Sequence, residues 1–256
     1  MRVALVQMDL AWEKVAENHR RASAHLESAR RSGARLALLP EMFSTGFSMD
    51  AGRVAQPRGG ESETFLRDRA AALDLWIVAS VAQRGDVGPQ NVALVVSPGG
   101  SVTRYAKIHP FSYSGEHLCY AGGDRVVTVT IGELRVTPFI CYDLRFPEPF
   151  RLAAPETDAF VVVANWPDAR REHWRTLVRA RAIENLAYVL AVNRVGDGGK
   201  LRYAGDSAAV SPWGETLVEG GAEEAVLVCE VEPATVTEAR ERFPFLDDRR
   251  PESYRR

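Results

Sequence analysis

Three ionisable residues, Glu41, Lys107 and Cys141, each follow a short apolar run of the kind that forms a buried strand. Cys141 is followed at once by a polar turn that begins at Tyr142 and Asp143. A side chain at such a junction is held by the strand and points into open space, which suits a reactive group. Since each group stands at the end of its own strand, we expect the carboxylate, ammonium and thiol to form one catalytic cluster at the carboxyl ends of a sheet.

Together these three groups could cleave an amide. The thiol of a free cysteine has a pKa of about 8.5, so a base must take its proton when the sulfur attacks. Glu41 is the candidate base, and Lys107 can stabilise the charge that develops on the carbonyl oxygen, together with the N–H of Tyr142. The nitrogen would leave as ammonia, and water would hydrolyse the thioester. On this scheme the loss of Glu41 should slow alkylation of Cys141 near neutral pH, and neither a metal nor a cofactor is needed.

Each residue also has an ordinary structural explanation. A lone cysteine after an apolar strand is often a small core residue, Glu41 could begin a helix, and Lys107 could be a solvated charge. His109 and His117 raise the alternative of a Cys–His pair. We place both histidines outside the reacting cluster because Glu41 is available as the base, and the three strand-terminal groups together favour catalysis.

Composition excludes several classes of function. The chain has 256 residues, of which 46% are hydrophobic, and a net charge of −2 that is unsuited to holding nucleic acid or an anionic membrane. No apolar stretch reaches the roughly 20 residues that span a bilayer, and the amino terminus lacks a signal-peptide pattern. Three cysteines without a CxxC pair favour a cytoplasmic protein with reduced thiols.

Predicted strands and helices alternate along the chain, which is typical of an α/β protein. Two hairpins are predicted, one at Pro98-Gly99-Gly100 and one at Gly132-Glu133. Two similar halves without a linker favour a two-sheet core with helices on both outer faces, in four layers, over one doubly wound sheet. We therefore expect a single domain over residues 1–256, with a charged tail from about residue 233 that packs on a surface or on a partner subunit.

The motif segments closely resemble those of the nitrilase superfamily, the carbon–nitrogen hydrolases, over nearly the whole chain to about residue 232. The segments that carry the resemblance are Leu39-Pro40-Glu41-Met42-Phe43, Tyr105-Ala106-Lys107-Ile108-His109-Pro110-Phe111 and Cys141-Tyr142-Asp143-Leu144-Arg145-Phe146-Pro147-Glu148. The family implies an αββα sandwich of two mixed β-sheets, a Glu41–Lys107–Cys141 triad and a homodimer that pairs two sandwiches. Glu116 matches a fourth acidic residue of the family that would orient Lys107 or the substrate amide, with an exposed loop glutamate as the alternative.

Within the family, the segment Ala164-Asn165-Trp166-Pro167 and the helix after it look most like the omega-amidases. That branch hydrolyses the terminal amide of 2-oxoglutaramate and 2-oxosuccinamate to the dicarboxylate and ammonia. Nitrile-cleaving members usually carry a Cys-Trp-Glu motif, from which Cys141-Tyr142-Asp143 departs, so the resemblance favours amide hydrolysis. The expected partners are therefore a small-molecule amide and water.

Four residues are candidates for contact with such a substrate. Tyr142, Trp166 and Phe43 would form pocket walls, and Arg145 could pair with the substrate carboxylate. Arg145 could instead be a structural residue under the Cys141 turn, paired with Glu148.

Two other hypotheses stay open. An N-carbamoyl amino acid or carbamoylputrescine amidohydrolase would use the same triad and release carbon dioxide along with ammonia. A catalytically silent member that serves as a binding or scaffold subunit would have no reason to keep Glu41, Lys107 and Cys141 together.

Overall fold

The computed structural model describes residues 1–254. Its helices and strands, in chain order, are β1 (Arg2–Gln7), α1 (Val15–Arg31), β2 (Leu36–Leu38), α2 (Ala51–Val54), α3 (Glu61–Leu73), β3 (Trp76–Gly85), β4 (Gly88–Val96), β5 (Val102–Ala106), α4 (Glu116–Cys119), β6 (Val129–Ile131), β7 (Leu134–Ile140), α5 (Pro147–Ala153), β8 (Ala159–Ala164), α6 (Arg171–Asn185), β9 (Tyr188–Asn193), β10 (Val195–Gly198), β11 (Leu201–Ala204), β12 (Ala208–Val210), β13 (Thr216–Glu219), β14 (Ala225–Glu230) and α7 (Pro233–Arg242). Short 3-10 turns lie at Ser112–Ser114, Cys141–Arg145, Ala154–Glu156, Asp168–Arg170 and Pro251–Tyr254.

Within residues 1–254, the strands form two six-stranded sheets and one two-stranded hairpin. The first sheet has the order β14-β1-β2-β3-β4-β5, and the second has the order β13-β12-β9-β8-β7-β6. Both sheets are mixed. In the first sheet β1, β2 and β3 run parallel to one another, and in the second sheet β7, β8 and β9 do so. The strands that flank these parallel sets pair antiparallel. Strands β10 and β11 form the separate hairpin.

The two sheets pack face to face, with helices on both outer faces. Side chains alternate along a strand, so Val3 and Leu5 of β1 join the core between the sheets, whereas Ala4 and Val6 face the helices. The outer layers are α1 and α3 on the first sheet and α5 and α6 on the second. The protein is therefore the four-layer αββα sandwich that the sequence predicted.

Strands with both faces covered need apolar residues at every position. The run Ala159–Ala164 is fully buried and forms β8, and the same reasoning explains the all-buried strand β9. The predicted hairpins at residues 98–100 and 132–133 are confirmed by the antiparallel pairs β4–β5 and β6–β7. The β10–β11 hairpin was not predicted, because its polar, glycine-containing sequence carries no strand alternation.

The carboxyl-terminal segment packs on its own chain through α7. Val236 and Ala239 are buried, and Arg240 donates hydrogen bonds to the carbonyl oxygens of Thr157 and Asn185. Positions 255 and 256 of the expected domain lie outside the described residues. No helix in the described chain has the length and apolar character to cross a membrane.

Candidate active site

The three predicted residues lie at neighbouring strand ends of the two facing sheets. Lys107 directly follows β5, Cys141 directly follows β7, and Glu41 stands three residues beyond β2. In the first sheet β2 and β5 point the same way, since β3 runs parallel to β2 and β4 is antiparallel to both of its neighbours. The stacking of the two sheets then brings the thiol to the same edge.

Lys107 is a buried cation held between two buried carboxylates. Its Nζ lies 2.9 Å from Oε1 of Glu41 and 2.8 Å from Oε2 of Glu116, and the three side chains are 1%, 0% and 0% exposed. Burial by itself lowers the pKa of Lys107, but the charges of Glu116 and Glu41 outweigh burial and hold this pKa above its ordinary value. Lys107 is therefore a fixed ammonium group, and Glu116 is a buried partner rather than an exposed loop residue.

Two asparagines orient the carboxylates. Asn91 of β4 donates through Nδ2 to Oε1 of Glu41 at 2.8 Å and to Oε1 of Glu116 at 3.2 Å. Asn165, the first residue after β8, donates its backbone N–H to Oε2 of Glu41 at 2.9 Å and its side-chain amide to the Glu41 carbonyl at 2.6 Å. Both Glu41 oxygens are thus held, which fixes the plane of this carboxylate beside the thiol.

Cys141 stands at the junction between β7 and the 3-10 turn Cys141–Arg145. It is 9% exposed and has a φ of 43°, a left-handed conformation that residues with a Cβ adopt rarely. Backbone outliers of this kind often mark functional sites. The first amides of a helical turn have no acceptor within the turn, so the N–H of Tyr142 is available to a bound group.

The electrostatics keep the sulfur protonated in the resting site. Burial raises the pKa of the Cys141 thiol well above its ordinary value, and the negative charge of Glu41 raises it further, whereas Lys107 acts in the opposite direction. Burial likewise raises the pKa of Glu116, with Lys107 opposing it. The arrangement is a thiol beside an oriented carboxylate and a fixed cation, which suits nucleophilic attack assisted by a base.

A cavity of about 290 Å³ opens above Cys141. Its walls are largely aromatic and apolar, and its polar groups are few; the lining residues besides Cys141 are Trp12, Phe47, Met49, Phe111, Ser114, Tyr142, Arg145, Asn165, Trp166, Pro167, Arg170, Gly199, Leu201 and Tyr203. The volume suits a small molecule with one reacting end at the cysteine.

The structure places three of the four predicted contact residues, Tyr142, Trp166 and Arg145, on this wall. Phe43 is the exception and requires a correction, because it is completely buried between the first sheet and the outer helices, where its ring stacks on His19. Phe47, four residues further on, lines the cavity instead.

Arg145 and Arg170 project into the cavity from the second half of the chain. The Arg145 guanidinium lies 4.7 Å from the centre of the Trp166 ring, and that of Arg170 lies 5.4 Å from the centre of the Phe111 ring. Burial lowers the pKa of Arg145, and the neighbouring charge of Arg170 lowers it further.

Within the described chain, neither arginine forms an ion pair with a carboxylate, and Arg145 contacts a ring nitrogen of His173 at 3.2 Å instead. The expected pairing of Arg145 with Glu148 is not found among these residues. The adjacent Arg171, in contrast, binds the buried carboxylate of Asp206. Two cations without a carboxylate partner therefore share the cavity with Cys141.

Sequence reasoning missed Asn91, Asn165 and Arg170 as site residues. Asn165 follows an apolar strand directly, as Cys141 does, so the strand-end rule could have found it. Asn91 carried a weaker signal as an amide inside an apolar strand, and Arg170 carried none, because it is one of many arginines in its region.

Comparisons with known proteins identify the family to which the chain is similar. The family model described as carbon-nitrogen hydrolase matches residues 2–241. The chain is 38% identical over 250 residues to the Omega-amidase YafV of Escherichia coli (strain K12), covering 97% of this chain and 96% of the relative. It is 32% identical over 256 residues to the 2-oxoglutaramate amidase of Bacillus subtilis (strain 168), covering 98% of each. The solved structure of XC1258 from Xanthomonas campestris, a CN-hydrolase superfamily protein with an arsenic adduct in its active site, matches with a TM-score of 0.92 at 40% identity, covering 98% of this chain and 97% of that chain.

The charges around Cys141 predict the effect of Glu41→Gln on its reactivity. Removing the carboxylate charge should lower the pKa of the thiol, so the pH profile of alkylation by iodoacetamide should shift to lower pH. This direction is opposite to the slower alkylation that the sequence alone suggests. The Cys141→Ala variant measures the background alkylation of Cys119 and Cys229. An unchanged pH profile in Glu41→Gln, or a shift to higher pH, would contradict the electrostatic argument.

Proposed function

The chain belongs to the carbon–nitrogen hydrolase family and is a hydrolase of carbon–nitrogen bonds other than peptide bonds; within that family we propose that it is an omega-amidase. The proposed substrates are small 2-oxo acids that carry a terminal amide, 2-oxoglutaramate and 2-oxosuccinamate, and the products are the dicarboxylate and ammonia. The names of the Escherichia coli and Bacillus subtilis relatives support this assignment.

One observation carries the substrate class: Arg145 and Arg170 share the cavity with Cys141 and have no carboxylate partner in the described chain. A buried or half-buried cation is stabilised by an anion, and guanidinium groups bind carboxylates through strong charge-assisted hydrogen bonds. A substrate with an uncharged amide at one end and a carboxylate at the other would satisfy both ends of the cavity. A polyamine substrate would meet two positive charges instead.

In the proposed mechanism, Glu41 accepts the thiol proton as the Cys141 sulfur bonds to the amide carbon. The carbonyl oxygen gains the negative charge, which the Lys107 ammonium and the N–H of Tyr142 stabilise. The C–N bond then breaks, Glu41 gives its proton to the nitrogen, and ammonia leaves. Glu41 next accepts a proton from water, which attacks the thioester, and the carboxylic acid product departs as the thiol is restored. Glu116 keeps Lys107 in place throughout, at 2.8 Å.

Removal of the nucleophile or of the fixed cation should abolish turnover. We expect Cys141→Ala to release no ammonia above background, because no other group in the cluster can form the acyl intermediate. Lys107→Met should lose at least about 100-fold in kcat, as expected when a donor to the developing oxyanion is removed. Thermal unfolding checks that each variant is folded. If Cys141→Ala kept a measurable fraction of wild-type turnover, the assignment of Cys141 as the nucleophile would be wrong.

The two arginines should set the preference for a carboxylate. Arg145→Met and Arg170→Met should each lower kcat/KM for 2-oxoglutaramate by about 10- to 150-fold, the equivalent of one charged hydrogen bond of about 1.5–3 kcal/mol. Two matched substrates test this preference, glutaramate and pentanamide. Both are five-carbon amides, but only glutaramate has a carboxylate. We expect the variants to lose activity on glutaramate and to keep it on pentanamide.

An ammonia-release screen separates this proposal from its alternatives. The screen compares 2-oxoglutaramate and 2-oxosuccinamate with glutamine, N-carbamoyl amino acids and simple nitriles. Preference for an N-carbamoyl acid, with carbon dioxide released alongside ammonia, would refute the omega-amidase assignment. Equal loss on glutaramate and pentanamide in the arginine variants would refute the role of the arginines in binding the carboxylate.

We also propose that the protein forms a homodimer. Three large apolar side chains, Ile183, Trp213 and Phe243, are 46%, 42% and 56% exposed. We assign them to one patch because Ile183 packs against Gly214, which is next to Trp213, and the guanidinium of Arg242, which is next to Phe243, lies 5.6 Å from the centre of the Trp213 ring. Exposed apolar patches support association between proteins.

Sedimentation velocity tests the dimer directly. The wild-type protein should sediment as a dimer at micromolar concentration, and Ile183→Glu should shift it toward the monomer by placing a charge in the patch. Leu118→Glu, at an exposed position outside the patch, is the control. A wild-type monomer at these concentrations would refute the homodimer.

A further inference from the structure

A buried carboxylate outside the reacting cluster connects the two chain segments that carry Lys107 and Cys141. Asp143 is completely buried. Its Oδ1 accepts hydrogen bonds from the backbone N–H of His109 at 3.0 Å and from Nδ1 of His109 at 2.8 Å. Its Oδ2 accepts from the hydroxyl of Tyr105 at 2.7 Å and from the N–H of Ile140 at 3.1 Å. All four donors therefore converge on one side chain, and each of its oxygens accepts two hydrogen bonds.

The donors are distributed so that they hold both reactive residues. Tyr105 and His109 lie two residues before and two residues after Lys107, so both flanks of the lysine are tied to the same carboxylate. Ile140 and Asp143 enclose Cys141 between them, and their hydrogen bond closes the turn around it. The carboxylate thus links an end of the first sheet to an end of the second, without contacting the reacting atoms.

This link acts where the backbone is least favourable. Cys141 adopts a φ of 43°, which a residue with a Cβ keeps only when its surroundings enforce it. The bond from the Ile140 N–H to Asp143 spans the strained residue. Without that bond, the turn would relax more easily toward an ordinary backbone conformation. This relaxation would move the Cys141 sulfur relative to Lys107.

Aromatic packing continues the link to the cavity wall. The His109 ring stacks on Phe146 with centres 3.8 Å apart and planes 13° apart. Phe146 in turn meets Tyr142 edge to face at 5.2 Å, and Tyr142 contacts Phe111 at 4.7 Å. His109 therefore contacts the buried carboxylate directly and the cavity wall through Phe146.

We propose that Asp143 is a positioning residue for the hydrolysis: together with its donors His109 and Tyr105, it holds the Cys141 sulfur and the Lys107 ammonium in the relative geometry that acylation requires. The inference rests on the proposed roles of Cys141 and Lys107. It assigns a task to His109, which the mechanism itself does not use.

The primary test is Asp143→Asn, with Asp158→Asn as the matched control. An asparagine keeps the shape of Asp143 but replaces one accepting oxygen by an NH₂ group, which cannot accept from Tyr105 and Ile140 or from His109. Asp158 is equally buried, at 2% exposed, and accepts three hydrogen bonds from Arg135, but it lies at the opposite end of the second sheet, just before β8. Each variant loses one buried carboxylate, so we expect both to lower the free energy of unfolding. They differ in the distance of the substituted residue from the active site.

Activity is expressed per folded molecule, with the folded fraction measured by near-UV circular dichroism, so that unfolded protein does not count. We expect Asp143→Asn to lower kcat about 100-fold, the size of effect produced by a misplacement of about 1 Å, and to leave KM within about threefold. Asp158→Asn should lower the unfolding temperature and leave kcat within about twofold of wild type. Equal kcat in the two variants, or a change confined to KM, would overturn the positioning role.

His109 supplies a second series if Asp143→Asn folds poorly. His109→Ala removes the side-chain donor and should lower kcat about tenfold, whereas His109→Gln, whose amide can still donate to Asp143, should recover most of that loss. Equal activity of the alanine and glutamine variants would also overturn the proposal.

The burst of p-nitrophenol from p-nitrophenyl acetate separates this proposal from the proposed function. The burst reports acylation of Cys141 without any amide substrate, and Cys141→Ala gives its background. If wild type shows a burst but hydrolyses no 2-oxo amide, the substrate assignment fails and the burst rates of the variants still decide the positioning role. If wild type hydrolyses the amide and Asp143→Asn keeps both burst and kcat, the positioning role alone fails.

Discussion

A completely buried ammonium group cannot persist without anions beside it, and this requirement organises the centre of the protein. The anions beside Lys107 are the carboxylates of Glu41 and Glu116, which are both fully buried and both within hydrogen-bonding distance of Nζ. Burying these charges is costly unless every remaining donor and acceptor is satisfied, which explains why Asn91 and Asn165 are fixed around the carboxylates. The cluster therefore dictates which strand ends must meet.

The surplus of negative charge in this cluster has a chemical consequence. Two carboxylates against one ammonium leave the surroundings of Cys141 negative, which favours the thiol over the thiolate at rest. Such a site is suited to a nucleophile that is deprotonated during attack rather than before it. The oriented carboxylate of Glu41 supplies the acceptor, and Lys107 becomes most stabilising when the carbonyl oxygen acquires charge.

The floor and the wall of the cavity are electrostatically different, and this difference gives the proposed substrate its direction. The floor lies over charges that are paired with one another and offers no unpaired cation, which suits an uncharged amide. The wall carries Arg145 and Arg170 on aromatic faces, and these cations have no carboxylate partner in the described chain. A molecule with a carboxylate at one end and an amide at the other fits this arrangement in one orientation only.

The sequence by itself determined the strands and the residues at their ends. Short runs that are apolar at every position indicated strands covered on both faces. Two similar halves without a linker predicted the four-layer sandwich, and the strand-end positions of Glu41, Lys107 and Cys141 predicted a shared edge. Tertiary structure alone decided which side chains complete the site. Phe43 lies in the core while Phe47 lines the cavity, Arg170 enters the cavity while Arg171 pairs with Asp206, and Asp143 reaches across to His109. Periodicity reports which face of an element is buried, but contacts between residues far apart in the chain depend on how the two sheets stack, and local sequence does not encode that placement.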